Sequence, residues 1–104
     1  MSSHKLPVAL TQAARDDLRD IELYTLTAWG EVQWAVYEAR LWQALESLGD
    51  TPEIGRARDD LAPGYRSPII EQHVIFYLPL PEYVAVIRIV HARADARRAL
   101  HGGA

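Results

Sequence analysis

Gln72-His73-Val74-Ile75-Phe76-Tyr77-Leu78-Pro79-Leu80-Pro81-Glu82-Tyr83-Val84-Ala85-Val86-Ile87-Arg88-Ile89-Val90-His91 is the stretch that decides the fold. Val74 to Leu78 and Val84 to Val90 are β-branched and aromatic runs of strand length. The Pro-Leu-Pro-Glu between them cannot continue a ladder, because Pro79 and Pro81 have no N–H to donate. The stretch therefore reads as a β-hairpin. Both runs are almost continuously apolar, which predicts a sheet covered on both faces, one of them by the rest of the chain.

Working outward, the 104 residues suffice for one domain with one core, and residues 1–104 are read as a single unit. The chain has no cysteine, which excludes a disulfide framework and a thiolate metal site and points to a reducing compartment. Its first residues lack an apolar h-region, and no run approaches the ~18 residues of a spanning helix, so a cytoplasmic protein without a membrane partner is expected. The net charge of −3 is unevenly spread, with four basic and eight acidic residues in 1–50 against seven and six in 51–104. Ten of the eleven cations are Arg, the side chain suited to paired contacts with carboxylate or phosphate, although a GC-rich genome gives the same composition.

In chain order, Leu6, Val8 and Leu10 alternate at the strand period, and Pro7 marks an edge strand from Lys5 to Leu10. Thr11 is placed as an N-cap. Ala14, Leu18, Ile21, Thr25 and Ala28 or Trp29 then recur at helical spacing. Gly30 ends this helix, and Trp34, Tyr37, Leu41, Leu45 and Leu48 form the stripe of a second, stopped at Gly49-Asp50-Thr51-Pro52. So short a connection requires an antiparallel helical hairpin. Residues 50–64 are a polar connection in which Ile54 and Leu61 are the available anchors. A strand follows from near Tyr65 to about Glu71, broken at Pro68, and a helix-prone tail spans Ala94 to Leu100.

The order strand, helix, helix, three strands predicts an α+β fold, a two-layer sandwich whose N-terminal helical hairpin packs on one face of a small, mainly antiparallel sheet. Strict alternation puts Val84, Val86, Arg88 and Val90 on the face away from the helices, leaving that face open. The hairpin carries more large apolar groups than such a sheet can bury. Leu23, Leu26, Trp34, Val36 and Trp42 are the candidates for an exposed groove that receives an amphipathic helix, against the plainer reading that they are core and rim. Asp16-Asp17 and Asp59-Asp60 read as solvated charges or caps. The four histidines make no site by spacing, and no metal ligand set or cofactor motif is present; His73 and His91 read as strand-end packing residues.

Several landmarks recur in a fixed order: Ala14, Asp17-Leu18, Ile21, Tyr24, Trp29-Gly30, Tyr37 and Leu41, then Pro52, Gly55 and Gly64-Tyr65-Arg66. They are followed by His73-Val74-Ile75-Phe76-Tyr77, Arg88-Ile89-Val90-His91, Arg93 and Asp95. In this the chain resembles the ParE toxins of the RelE/ParE superfamily, the toxin halves of bacterial type II toxin–antitoxin pairs. The resemblance implies the fold just read, inhibition of DNA gyrase, alone or on DNA, without hydrolytic catalysis, and a hetero-oligomer with a ParD-like antitoxin. On that reading the apolar surplus of the hairpin makes Leu23, Leu26, Trp34 and Trp42 the expected antitoxin contacts, and the cations at the C-terminal end of the sheet, Arg88, Arg93, Arg97 and Arg98, the expected target contacts. The alternative is a ribosome-dependent mRNA endonuclease of the RelE type. There the pattern asks for an Arg where this chain has His73 and a Tyr where it has Ala99, although Arg93 matches and Arg56 and Arg58 can stand in for loop cations.

Overall fold

A computed structural model describes residues 5–93. In chain order the elements are β1 (Val8–Leu10), α1 (Gln12–Trp29), α2 (Glu31–Asp50), β2 (Arg56–Ala57), β3 (Arg66–Ser67), β4 (Ile69–Ile70), β5 (His73–Pro79) and β6 (Val84–His91). The sheet runs β1-β6-β5-β3-β2, with β4 also on β5. β1 is parallel to β6, and every other pairing is antiparallel. This is the expected two-layer α+β arrangement, with β1 on an edge.

Thr11 begins α1 as an N-cap, its Oγ1 accepting from Ala14 N at 3.0 Å and donating to Ile87 O at 2.8 Å. A single residue, Gly30, joins the helices. Its φ of 94° and ψ of 178° lie in a region essentially open only to glycine. Its N–H closes α1 on Thr25 O and Leu26 O, while its carbonyl accepts from Trp34 N in the first turn of α2. Ala14, Ile21 and Thr25 face the sheet as the periodicity requires. Ala28 and Trp29 are exposed, so the expected stripe ends at Thr25, a turn before the helix does.

On α2, Tyr37, Leu41, Leu45 and Leu48 are buried against Ile75, Tyr77, Val84, Val86 and Ile89. Each fully buried Leu contributes about 1.5–3 kcal/mol of transfer free energy. The helix ends at Asp50 with Thr51 as its C-cap, inside the expected Gly49-Asp50-Thr51-Pro52 stop, so Gly49 is itself still helical. Its hydrogen faces the backbone of Leu6, whose N–H donates to Gly49 O at 3.0 Å. A Cβ there would sit 2.3 Å from Leu6 O, so this glycine lets the N-terminal segment lie against the helix.

Three further expectations are corrected. Leu61 anchors the long connection beneath Phe76 and Val90, but Ile54 is exposed and anchors nothing. Within that connection Arg56–Ala57 forms a short strand the pattern did not show, while Pro68 splits the next strand in two as expected. The alternation along β6 also changes phase. Phe76 pairs with Arg88 and Tyr77 with Val86, leaving Ile87 as a bulge. Val84, Val86 and Ile89 consequently all pack toward the helices, and the other face carries Phe76 and Val90 under Leu61. The helix-prone tail after Arg93 lies outside the described residues. Among those described, no helix is long and apolar enough to cross a membrane.

Candidate functional site

Three features on the helical side of the sheet stand out. The first is the groove between α1 and α2, a cavity of about 220 Å³. Trp34, Leu41 and Trp42 line it from α2 and Leu18 from α1, with Arg15, Arg19, Glu22 and Glu38 around them. Trp42 remains 46% exposed and Trp34 is half-buried. The structure thus brings together two of the four residues expected to take an antitoxin. Leu23 is 65% exposed and Leu26 half-buried, both outside this groove. Val32, 82% exposed at the hairpin tip, and Val36 extend the apolar surface further.

The second feature is a clasp that the sequence reading missed by treating Asp17 as a solvated charge. Among the described residues no strand lies beside the edge of β6 beyond Leu10, and Asp17 of α1 takes that place. Its Oδ2 accepts from Ile89 N at 2.9 Å and from Arg88 Nε at 2.7 Å, and its Oδ1 accepts from Arg88 Nη2 at 2.9 Å. The paired hydrogen bonds of Asp17 raise the Arg88 pKa further above its usual range. Arg88 is therefore held by α1 at the sheet edge and does not line an open face as expected.

The third is a trough beside the clasp. Tyr24, Thr25, Trp29, Gln33, Tyr37, Glu71, Gln72, His73 and His91 line a cavity of about 480 Å³. A second, of about 360 Å³, shares Tyr24, His73 and His91 with it and adds Asp17, Asp20, Ile21, Ile89 and Val90. His73 and His91, far apart in sequence, are direct cross-strand partners with ring centroids 5.6 Å apart. The Tyr37 hydroxyl lies 2.6 Å from His73 Nδ1 and 3.1 Å from Ile70 O. The one hydroxyl thus ties the His73 ring to the backbone of β4. Burial, then the nearby His91, push the His73 pKa below its usual value, and burial pushes Tyr37 up to about 12. The pairing of the two histidines was legible only once the hairpin register was fixed.

Of the remaining cations, Arg58 is engaged by Asp60 through two 3.0 Å hydrogen bonds and lies 5.7 Å above the Phe76 ring. Asp59 Oδ1 caps Gly64 N. Arg93 is exposed just past β6, its N–H donating to His91 Nδ1 at 3.1 Å. Arg97 and Arg98 lie outside the described residues. Among the described residues no group of three or more His, Cys, Asp or Glu side chains is arranged to hold a metal ion.

A sequence model of the ParE toxin of the type II toxin–antitoxin system parDE matches residues 8–96. The toxin ParE1 of Mycobacterium tuberculosis is 37% identical over 101 residues, covering 96% of this chain and all of that one. The toxin ParE1 of Caulobacter vibrioides is 34% identical over 91 residues, covering 88% of this chain and 94% of that protein. Among solved structures, a chain from the chromosomal ParDE TA system of P. aeruginosa superposes with a TM-score of 0.73 at 19% identity, over 86% of this chain and 98% of the other.

Proposed function

The chain belongs to the ParE toxins of type II toxin–antitoxin systems, and on that premise we propose that it acts as a single domain that inhibits DNA gyrase and is neutralised by a ParD-type antitoxin. The state of His73 is the observation that favours inhibition over RNA cleavage. Cleavage at a ribose needs a base or several cations converging on one phosphate. His73 stands where the RelE pattern asks for a cation, yet it is desolvated, lowered in pKa and committed to Tyr37. Arg58, a stand-in for a loop cation, is committed to Asp60.

The antitoxin surface we propose is the outer face of the helical hairpin, centred on Trp34 and Trp42 and flanked by Leu23 and Leu26. Support comes from the size of the exposed apolar groups there, which suits a segment that orders on binding. The target surface we propose centres on Arg93 with Arg97 and Arg98. Arg88, which the sequence reading also placed on the target surface, serves in this reading to hold the end of β6 in place. Purified protein incubated with gyrase and relaxed plasmid should block supercoiling or trap broken DNA, while translating ribosomes should show no specific mRNA cleavage. Cleavage in the ribosomal A site without any effect on gyrase would reverse the assignment.

A further inference from the structure

The groove between α1 and α2 has an order of charge along its length as well as an apolar floor. Because Gly30 alone joins two antiparallel helices, residues equidistant from it lie roughly level across the groove. Glu22 and Glu38 are each eight residues from Gly30, and both line the groove. Two carboxylates thus stand level on opposite rims. Arg19 and Arg15, on the same lining, lie about one and two helical turns further from the hairpin tip. Trp34 is on the tip side of the carboxylates and Trp42 is on the side of the guanidinium groups. Among the described residues Arg15, Glu22 and Glu38 make no salt bridge, and Arg19 makes only a 3.9 Å contact with Asp16 between two exposed side chains. Glu46, a turn beyond Trp42, does not line the groove.

Like charges facing one another across packed helices, or one turn apart on the same helix, disfavour each other. A docked helix with a cation over Glu22 and Glu38 and an anion over Arg15 and Arg19 relieves both pairs at once. A helix of uniform charge relieves one pair and aggravates the other. Resting on the reading that the antitoxin docks in this groove, we propose that the four rim charges select and orient its segment. The occupant is an amphipathic helix whose apolar stripe covers Trp34 and Trp42. It carries Lys or Arg at the hairpin-tip end and Asp or Glu about four to seven residues away, toward Arg15. The Trp rings supply most of the affinity, as buried aromatic anchors do, while the exposed rim charges decide which helix fits and which way it lies. It is the order of charges on the partner, not the direction of its chain, that sets which end meets Trp34.

The test uses the full chain and two blocked peptides of about 18 residues, long enough to form a helix on binding. Both have one leucine stripe and the same composition. One has Lys in its N-terminal half and Glu in its C-terminal half, and the other exchanges the halves. A spin label at the peptide N-terminus reports direction by broadening the indole N–H signal of Trp34 or of Trp42. The Lys-first peptide should broaden Trp34 and the Glu-first peptide Trp42, each by a preference of about five-fold or more. The preference should fade as salt is raised. The variant Arg15→Glu, Arg19→Glu, Glu22→Lys, Glu38→Lys keeps the net charge and should reverse both directions. The milder Glu22→Gln, Glu38→Gln variant should weaken both peptides about two- to five-fold. All four residues are exposed, so both variants should fold. If the label meets the same Trp with both peptides, or both Trp signals equally, the charge order is overturned while the groove remains a docking site. If no peptide broadens either Trp and Trp42→Ala changes nothing, the groove reading fails and the proposal falls with it.

Discussion

Asp17 and Arg88 are 71 positions apart, yet the carboxylate of one receives both the guanidinium of the other and the backbone N–H of Ile89. A helix side chain thus completes the edge of β6 where β1 has run out. Because one carboxylate serves a charge and a backbone donor together, its removal takes an acceptor from two groups at once. We expect Asp17→Ala to cost about 2–4 kcal/mol and Arg88→Met distinctly less, since Asp17 then still accepts from Ile89 N–H. Urea melts of the two single variants and the double variant give the coupling. Equal losses for the two single variants would mean that Asp17 matters only as the partner of Arg88.

Gly49 offers a sharper steric test. Its missing Cβ would meet Leu6 O at 2.3 Å, and that contact is to backbone, which cannot rotate aside. Gly49→Ala, a change that favours a helix interior by about 1 kcal/mol on propensity alone, should here destabilise by about 1–3 kcal/mol through overpacking. Hydrogen exchange should show the damage concentrated at Leu6 and along the β1 edge. A variant as stable as the parent would show that the N-terminal segment can shift at no cost.

The Tyr37–His73 pair predicts a pH dependence. His73 has its folded pKa below the ordinary 6.5 because burial, then the adjacent His91, disfavour the cation, with Asp17 opposing weakly. The unfolded chain therefore binds the proton more tightly. The contribution of neutral His73 is complete above the unfolded pKa and is lost as pH falls from there through the folded pKa. In His73→Gln this loss is absent. The difference in Tm between parent and variant should narrow as pH drops from about 7 to about 5. A constant difference across that range would place the proton elsewhere.

What the sequence reveals and what it hides divide along physical lines. Thr11, Gly30 and Pro68 act on their own local backbone, so the helix start, the hairpin turn and the split strand are all readable from single residues. The stripe Tyr37, Leu41, Leu45 and Leu48 is readable because burial imposes a period. The bulge at Ile87 is different, because it is set by how β5 and β6 register, and it turns Val84 and Val86, upstream of it, to the face opposite the one strict alternation gives them. Asp17 looks like any surface carboxylate until the sheet edge is known to end beside it. The same holds for the trough, whose His73 and His91 come together only through the strand pairing. Of the proposed surfaces, the aromatic surplus on the hairpin is visible as composition, while the separation of Trp42 from Leu23 requires the fold.

The two proposed surfaces should act independently of one another. Trp34 and Trp42 line the groove between the helices, whereas Arg93 is exposed just past the end of β6. A gyrase–DNA complex presents phosphates and carboxylates, to which guanidinium groups bind by charge-assisted paired hydrogen bonds. An exposed cation contributes only about 0–1 kcal/mol to folding, so replacing Arg93, Arg97 and Arg98 with Ala should leave the melting temperature nearly unchanged. Growth arrest should nevertheless be lost, and binding to the antitoxin retained. Trp42→Ala should do the reverse, because a half-exposed aromatic ring matters more to an incoming apolar helix than to this core. It should weaken antitoxin binding by about 2 kcal/mol or more, as expected of a central aromatic anchor, while the free protein remains toxic. Arg88→Ala makes the third comparison. Since its guanidinium is bound by Asp17, it should lower stability and toxicity together. If the triple arginine variant stays fully toxic, or loses antitoxin binding along with toxicity, the division into two surfaces is wrong.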